Sequence, residues 1–375
     1  MTKSKLIKLM ASSAIFALAL TGCASVPKNN NIKQSSQVQA PSTEPSSDEA
    51  QVTQAPAPTE VKLTYYYTAN ESGSISKIDS ITNKVVDTIK VEGAPHNVQI
   101  SPDGKVVAFT AGEKMTEEQE KDKNMETNMG MKGSAVFYDS DTGTLINQVE
   151  IGKHPAHIVF TEDGKYVLVT DSEANNVSII DAKTYKVVNT VAIGKGPHGF
   201  RISKDSQFAY VANMDEDTVS VVDIANSKEI KKIKVGKTPV TTGITSDGKT
   251  LLVTVNAENV LAIVDLATDS VQKIPVGVGP AQVYIQSDDK YAFVANQGTK
   301  ESPSNTVSKV DMASKKVIAT IQTGKGAHGV VVTPDNKYVY VTNMYENTVS
   351  VIDNATDQVI DTAQVDVAPN GISFR

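Results

Sequence analysis

The chain has 375 residues, with 36 Lys plus Arg against 43 Asp plus Glu, 39% hydrophobic residues, one Cys and no Trp. That describes a mildly acidic globular protein and excludes a disulfide scaffold, since a single thiol has no partner within the chain. Residues 1–22 hold three Lys and no acid, so the remainder carries 33 basic against 43 acidic groups, a formal charge of −10 that argues against nucleic acid as a partner.

At the N-terminus, Lys3, Lys5 and Lys8 precede an apolar run from Ala11 to Leu20, the charged and hydrophobic regions of an export signal. The run is too short and wrongly flanked for a spanning helix. It ends in Leu20-Thr21-Gly22-Cys23, which resembles the lipobox of bacterial lipoproteins. The resemblance implies that residues 1–22 are removed and that Cys23 carries the lipid. Several acyl chains on one residue hold a protein firmly, so Cys23 reads as an anchor and not as a nucleophile. Residues 23–60 are rich in Asn, Gln, Ser, Pro, Thr and Ala and nearly empty of large apolar groups. Such a segment buries too little surface to offset its ordering entropy, which predicts a disordered tether. Its reach is on the order of 35 Å. The expected address is extracytoplasmic, with the membrane as partner through the lipid anchor.

From residue 61 onward the chain repeats. The unit Asn347-Thr348-Val349-Ser350-Val351-Ile352-Asp353 returns as Asp217 to Asp223 and as Asn176 to Asp181. Its closing aspartate recurs at Asp79, Asp139, Asp181, Asp223, Asp265, Asp311 and Asp353, with spacings of 60, 42, 42, 42, 46 and 42. The largest excess is an insertion at residues 113–133. Within each period four short alternating runs are separated by turn residues, which predicts four strands, here a, b, c and d. Strand b begins near Tyr65, Val106, Tyr166, Phe208, Leu251, Tyr291 and Tyr338. Strand a begins near Asn97, His157, Gly199, Thr242, Gln282, Gly329 and Gly371. The array opens with b, c and d and closes with a lone a. The C-terminal strand therefore completes the first sheet, and residues 61–375 form an all-β, seven-bladed β-propeller of four-stranded antiparallel blades, expected to be monomeric.

Tyr340-Val341-Thr342-Asn343 has relatives in Tyr210-Val211-Ala212-Asn213 and Phe293-Val294-Ala295-Asn296. With Pro197-His198-Gly199 and Ser101-Pro102-Asp103-Gly104-Lys105, these segments resemble the YVTN family of bacterial and archaeal surface β-propellers. The resemblance covers residues 64–375 and departs from the family pattern at Ala111-Gly112 and Val255. It implies the fold strongly and the function weakly, because related propellers bind ligands, hold cofactors or act as enzymes.

Alternation puts the d-to-a and b-to-c connections on one rim. All five histidines lie in or beside d-to-a connections: His96, His154, His157, His198 and His328. Imidazoles converging from several blades suit a transition metal such as copper, or a haem-like group, with His96, His157, His198 and His328 as ligands. A His after Pro in a repeated turn also serves simply to hydrogen-bond backbone. Thr238, Gln282 and Asn370 in other blades break a complete histidine ring. Within the insertion, Met125 and Met129 are soft ligands on the same rim, or packing groups of a charged flap, and Met214 and Met344 occupy corresponding loops. One column of strand a is mixed in character: Gln99, Val159, Arg201, Gly243, Tyr284, Val331 and Ser373. It predicts the channel lining, with Gln99, Arg201, Tyr284 and Ser373 as polar contacts for a ligand. Gly-x-Ser-x-Gly, His-Glu-x-x-His and Walker-type loops are absent from the sequence. The expected function is non-catalytic binding of a ligand or protein partner through the histidine rim, ahead of a metal or redox-cofactor protein, with a lactonase-like hydrolase third.

Overall fold

Short runs rich in Val, Ile, Tyr and Thr, bounded by Asp, Asn and Gly, become strands because β-branched and aromatic side chains suit a pleated, buried surface. The computed structural model describes residues 64–112 and 133–374, and within them 28 strands form seven four-stranded antiparallel sheets. Blade 3 shows the pattern, with strands a to d at Pro155–Phe160, Tyr166–Asp171, Asn176–Asp181 and Lys186–Ala192. Strands a of neighbouring blades contact one another around the axis, and strands d form the outer, exposed wall.

The ring closes as the strand count requires. Pro369–Phe374 pairs with Tyr65–Asn70 and supplies strand a of blade 1, with Tyr66 opposite Phe374 and Thr68 opposite Ile372. Joining segments about 300 residues apart costs on the order of 5 kcal/mol of chain entropy. Tyr66, Ile78, Tyr340 and Ile372 are buried together at this seam, and each contributes about 1.5–3 kcal/mol on burial. Burial outweighs the entropy, so the seam holds.

Seven clusters of buried apolar side chains each lie between two neighbouring blades, as Val177, Ile179 and Leu168 of blade 3 meet Phe200, Val211 and Val222 of blade 4. This sandwiching explains why strands b and c are buried on both faces. The recurring aspartate is a turn device: Asp79 Oδ1 accepts from the backbone of Ile81 and Thr82 and from the Thr82 hydroxyl, and Asp181 and Asp353 repeat the arrangement. The recurring asparagine ties strand b to strand c, since Asn343 Nδ2 donates to Thr348 Oγ1 and Ser350 Oγ, each at 2.9 Å.

Strand a starts two or three residues earlier than alternation suggests, at Ala94, Pro155, Pro197, Pro239, Pro280, Ala327 and Pro369. Each contains a β-bulge. In blade 4, His198 and Gly199 together oppose Ala212, between the pairs Pro197 with Asn213 and Phe200 with Val211. The extra residue breaks the period of two, and Pro at the first position forfeits no ladder hydrogen bond that the strand needs. Strand b of blade 5 likewise begins at Thr250 rather than Leu251.

Candidate metal centre

The bulges carry the histidines, and the last turn of strand b holds the bulges still. Thr170 Oγ1 accepts from His157 N at 3.0 Å and donates to His198 O of the next blade at 2.8 Å. Thr110 does the same between Asn97 N and Ala156 O, at 3.1 and 2.8 Å. In the four blades with threonine opposite the bulge, Thr110, Thr170, Thr254 and Thr342, the hydroxyl thus satisfies backbone that the bulge frees and couples one blade to the next. Each bulge has two residues. His96, His198 and His328 occupy the first position, whereas His157 occupies the second, after Ala156. Where glycine takes the second position, as at Gly199, Gly329 and Gly371, the neighbouring blade packs tightly on it: a Cβ at Gly329 would lie 2.4 Å from Asn370 O.

The four imidazoles meet at the mouth of the channel. Ring centroids are 5.7 Å apart for His96 and His157, 4.9 Å for His157 and His198, 5.2 Å for His96 and His198, and 6.5 Å for His96 and His328. One ring nitrogen each from His96, His157 and His198 lie within 4.8 Å of one another. His154 is exposed and stands outside the group.

Hydrogen bonding fixes which nitrogens face inward. A carbonyl only accepts, so His198 Nδ1 carries the hydrogen it gives to Val240 O at 3.2 Å, and His328 Nδ1 the one it gives to Asn370 O at 3.4 Å. Glu71 Oε1 accepts from His96 Nδ1 at 3.2 Å and from Asn370 Nδ2 at 2.7 Å. Burial would raise the Glu71 carboxyl, but the hydrogen bonds from His96 and Asn370 outweigh it and hold its pKa below the ordinary value. His198 Nε2 therefore turns its lone pair inward, and His96 Nε2 faces it at 3.2 Å, with lone pairs on both when His96 holds its hydrogen on Nδ1 alone. Among the described residues, neither nitrogen of the buried His157 has a hydrogen-bond partner. Burial pushes His198 down to about 3 and His328 to about 4, and drives His157 well below its usual range, so these three rings are neutral at pH 7.

Neutral imidazoles converging on a point are the donor set of a first-row transition ion. The mutual ring contacts leave room for an ion and none for a macrocycle, so the haem-like group does not fit. Glu71 was not visible as a site residue in the sequence, since it sits in a b-to-c loop 25 residues before His96 with no motif around it. Cys23, Met125 and Met129 lie outside the described residues. Met344 Sδ accepts from Gln297 Nε2 at 3.3 Å rather than meeting the histidines. Gln282 occupies the same bulge position as His157, with its Nε2 buried and unpartnered.

The mixed column does line the channel. Gln99, Val159, Arg201, Gly243, Tyr284, Val331 and Ser373 all border one cavity, but it opens among the a-to-b turns, and none of the histidines borders it. The histidine rim and the polar column are thus two places and not one site.

These features define a seven-bladed β-propeller with an imidazole cluster at one end of its channel. The YNCE-like beta-propeller family matches residues 131–374, more than half of the chain, and the chain belongs to that family. Its fold is similar to that of Kuenenia stuttgartiensis hydrazine synthase, at 21% identity and a TM-score of 0.63, over 74% of this chain and 89% of that one. It is similar also to a functionally unknown protein from Desulfotomaculum acetoxidans, at 13% identity and a TM-score of 0.68, over 83% of this chain and 98% of that one. Likeness at this identity speaks for the fold alone. No curated protein matches the sequence.

Proposed function

We propose that this chain is a non-catalytic binding protein, lipid-anchored through Cys23 on the outer side of the cell membrane, that holds a transition-metal ion on His96, His157 and His198. One observation carries the reading: His96 Nε2 and His198 Nε2 face each other at 3.2 Å beside an imidazole, His157, with no partner on either nitrogen among the described residues. An unsatisfied buried polar atom costs about 1–3 kcal/mol, so two on one ring call for an occupant. A shared proton would serve the first pair and leave His157 as it is. An ion serves all three rings, and ligands about 2.0–2.1 Å from a tetrahedral ion stand about 3.3 Å apart. Among divalent ions, copper binds such nitrogen sites most tightly, with zinc next in reach.

The test is titration of the chelator-stripped full chain with Cu(II), Zn(II) and Co(II). One equivalent should bind, with nitrogen hyperfine structure in the Cu(II) resonance spectrum, and His157→Ala together with His198→Ala should abolish it. Saturation that fails to reach one equivalent, or a spectrum unchanged in both variants, would overturn the assignment.

A further inference from the structure

The other end of the channel offers a second site of different chemistry. The cavity there measures about 430 Å³, within the range of small-molecule sites. Val159, Val331, Ile100 and Ile285 make much of its wall apolar. Into this wall the chain sets Arg201, one of only two arginines in 375 residues. Among the described residues its guanidinium gives one hydrogen bond, from Nη1 to Phe200 O at 3.1 Å, out of the five N–H donors it owns. It lies 5.8 Å from the centre of the Tyr284 ring, which orients it as a planar fork. Burial works against its charge, and Tyr284 and Glu162 work for it. Two blades away, Gln99 borders the same cavity, its side chain without a hydrogen bond to the described residues.

The charges around the opening narrow the choice of ligand. Glu162 and Asp289 stand there with one cation, Lys204. Two acids at the entrance repel a dianion, and a single guanidinium at depth neutralises one negative charge. A carboxylate matches the fork in two parallel hydrogen bonds, and an apolar body matches the walls.

We propose that this cavity binds a small monocarboxylate with an aromatic or branched apolar body, its carboxylate on Arg201 and Gln99, independently of the histidine cluster. The probes are benzoate, phenylacetate and 4-methylpentanoate, each set against its neutral primary amide, with succinate and inorganic phosphate as more highly charged comparisons. Binding to the full chain is read by calorimetry and by the Arg201 Nε–H resonance, which a chain with two arginines leaves nearly free of overlap.

At least one monocarboxylate should bind with a dissociation constant on the order of 1 mM or below, the reach of a ligand of about ten non-hydrogen atoms. Its amide should bind at least tenfold more weakly, Arg201→Gln should lose at least tenfold, and His157→Ala should bind as the parent does. The acid-against-amide comparison needs no variant, and Gln99→Leu gives a second one should Arg201→Gln fold poorly. Amides binding as well as acids, succinate or phosphate binding best, Arg201→Gln binding unchanged, or no probe moving the Arg201 signal would each overturn the proposal.

Discussion

His96 and Glu71 form a hydrogen-bonded contact, Nδ1 to Oε1 at 3.2 Å, that decides which nitrogen of the imidazole looks into the mouth of the channel. Glu71 comes from blade 1 and His96 from blade 2, and Asn370 of the closing strand donates to the same carboxylate oxygen at 2.7 Å. A carboxylate behind a ligating imidazole fixes its tautomer and raises its basicity. Glu71→Gln keeps the shape and removes the charge. Zinc affinity, measured against a competing chromophoric chelator, should fall about 10- to 100-fold, while the melting temperature of the metal-free protein changes little. Undiminished affinity would leave Glu71 as a loop residue with no part in the site.

Where the second bulge residue is glycine, the neighbouring blade should leave no room for an added atom. A Cβ at position 329 would meet Asn370 O at 2.4 Å, and that oxygen is held in place by hydrogen bonds from Thr342 Oγ1 and His328 Nδ1. Gly329→Ala should lower stability by about 1–3 kcal/mol. Thr342→Val should cost about the same, since Thr342 Oγ1 accepts from Gly329 N at 2.7 Å and donates to Asn370 O at 3.0 Å. Denaturant midpoints report both, and because the two sites share Gly329 and Asn370, the double variant should lose less than the sum. Strict additivity would mean the two are not coupled.

Acid should weaken the metal-free protein in two stages. His328 is pushed down to about 4, by burial first and by His96 second, whereas an unfolded imidazole titrates near pH 6.5. Between those values the unfolded chain binds the extra proton, so stability is complete above pH 6.5 and falls as pH drops toward 4. His328 alone accounts for a loss on the order of 3 kcal/mol. The turn carboxylates Asp79, Asp181 and Asp353, held low by hydrogen bonds from Thr82, Thr184 and Thr356, add stability above the ordinary aspartate pKa and give it up below. Thermal melts from pH 8 to pH 3 should show a plateau, a decline beginning near 6.5 and a steeper one below about 4. A melting temperature constant from pH 7 to 4.5 would contradict the buried neutral histidines.

Moving the last strand to the front should be harmless, and deleting it should not. Strand a of blade 1 covers Tyr66 and contributes Ile372 to the seam. A chain ending at Val367 should lose cooperative unfolding by circular dichroism. A permutant placing residues 368–374 ahead of residue 64 should regain it. Cooperative melting of the truncated chain would show that blade 1 needs no fourth strand.

The number of blades, the closure and the gathering of His96, His157, His198 and His328 were all legible in the sequence, because a period of about 42 residues and a period of two within strands are global patterns that one local exception does not erase. The seven-residue column from Gln99 to Ser373 was found by the same internal alignment. What local pattern could not carry was the bulge. It moved the starts of strand a and set His157 one position beyond its counterparts, so that Pro155-Ala156-His157 and Pro197-His198-Gly199 look alike but place their rings at different depths. Glu71 was hidden for another reason: its partner is fixed by the packing of blade on blade, which leaves no spacing to read. The histidines and the column share a strand, yet the length of that strand separates them into two ends of one channel.

The pairing of Tyr66 with Phe374 has a consequence for the order of events during synthesis. The first three strands to emerge have no innermost neighbour until nearly everything else has been made, and their open edge must wait through more than 300 residues. A ring of this topology gains its last and most distant contacts at the end, which slows folding and lengthens the time in which an edge stands exposed. Premature termination anywhere along the message therefore yields not a smaller propeller but a circle that never shuts.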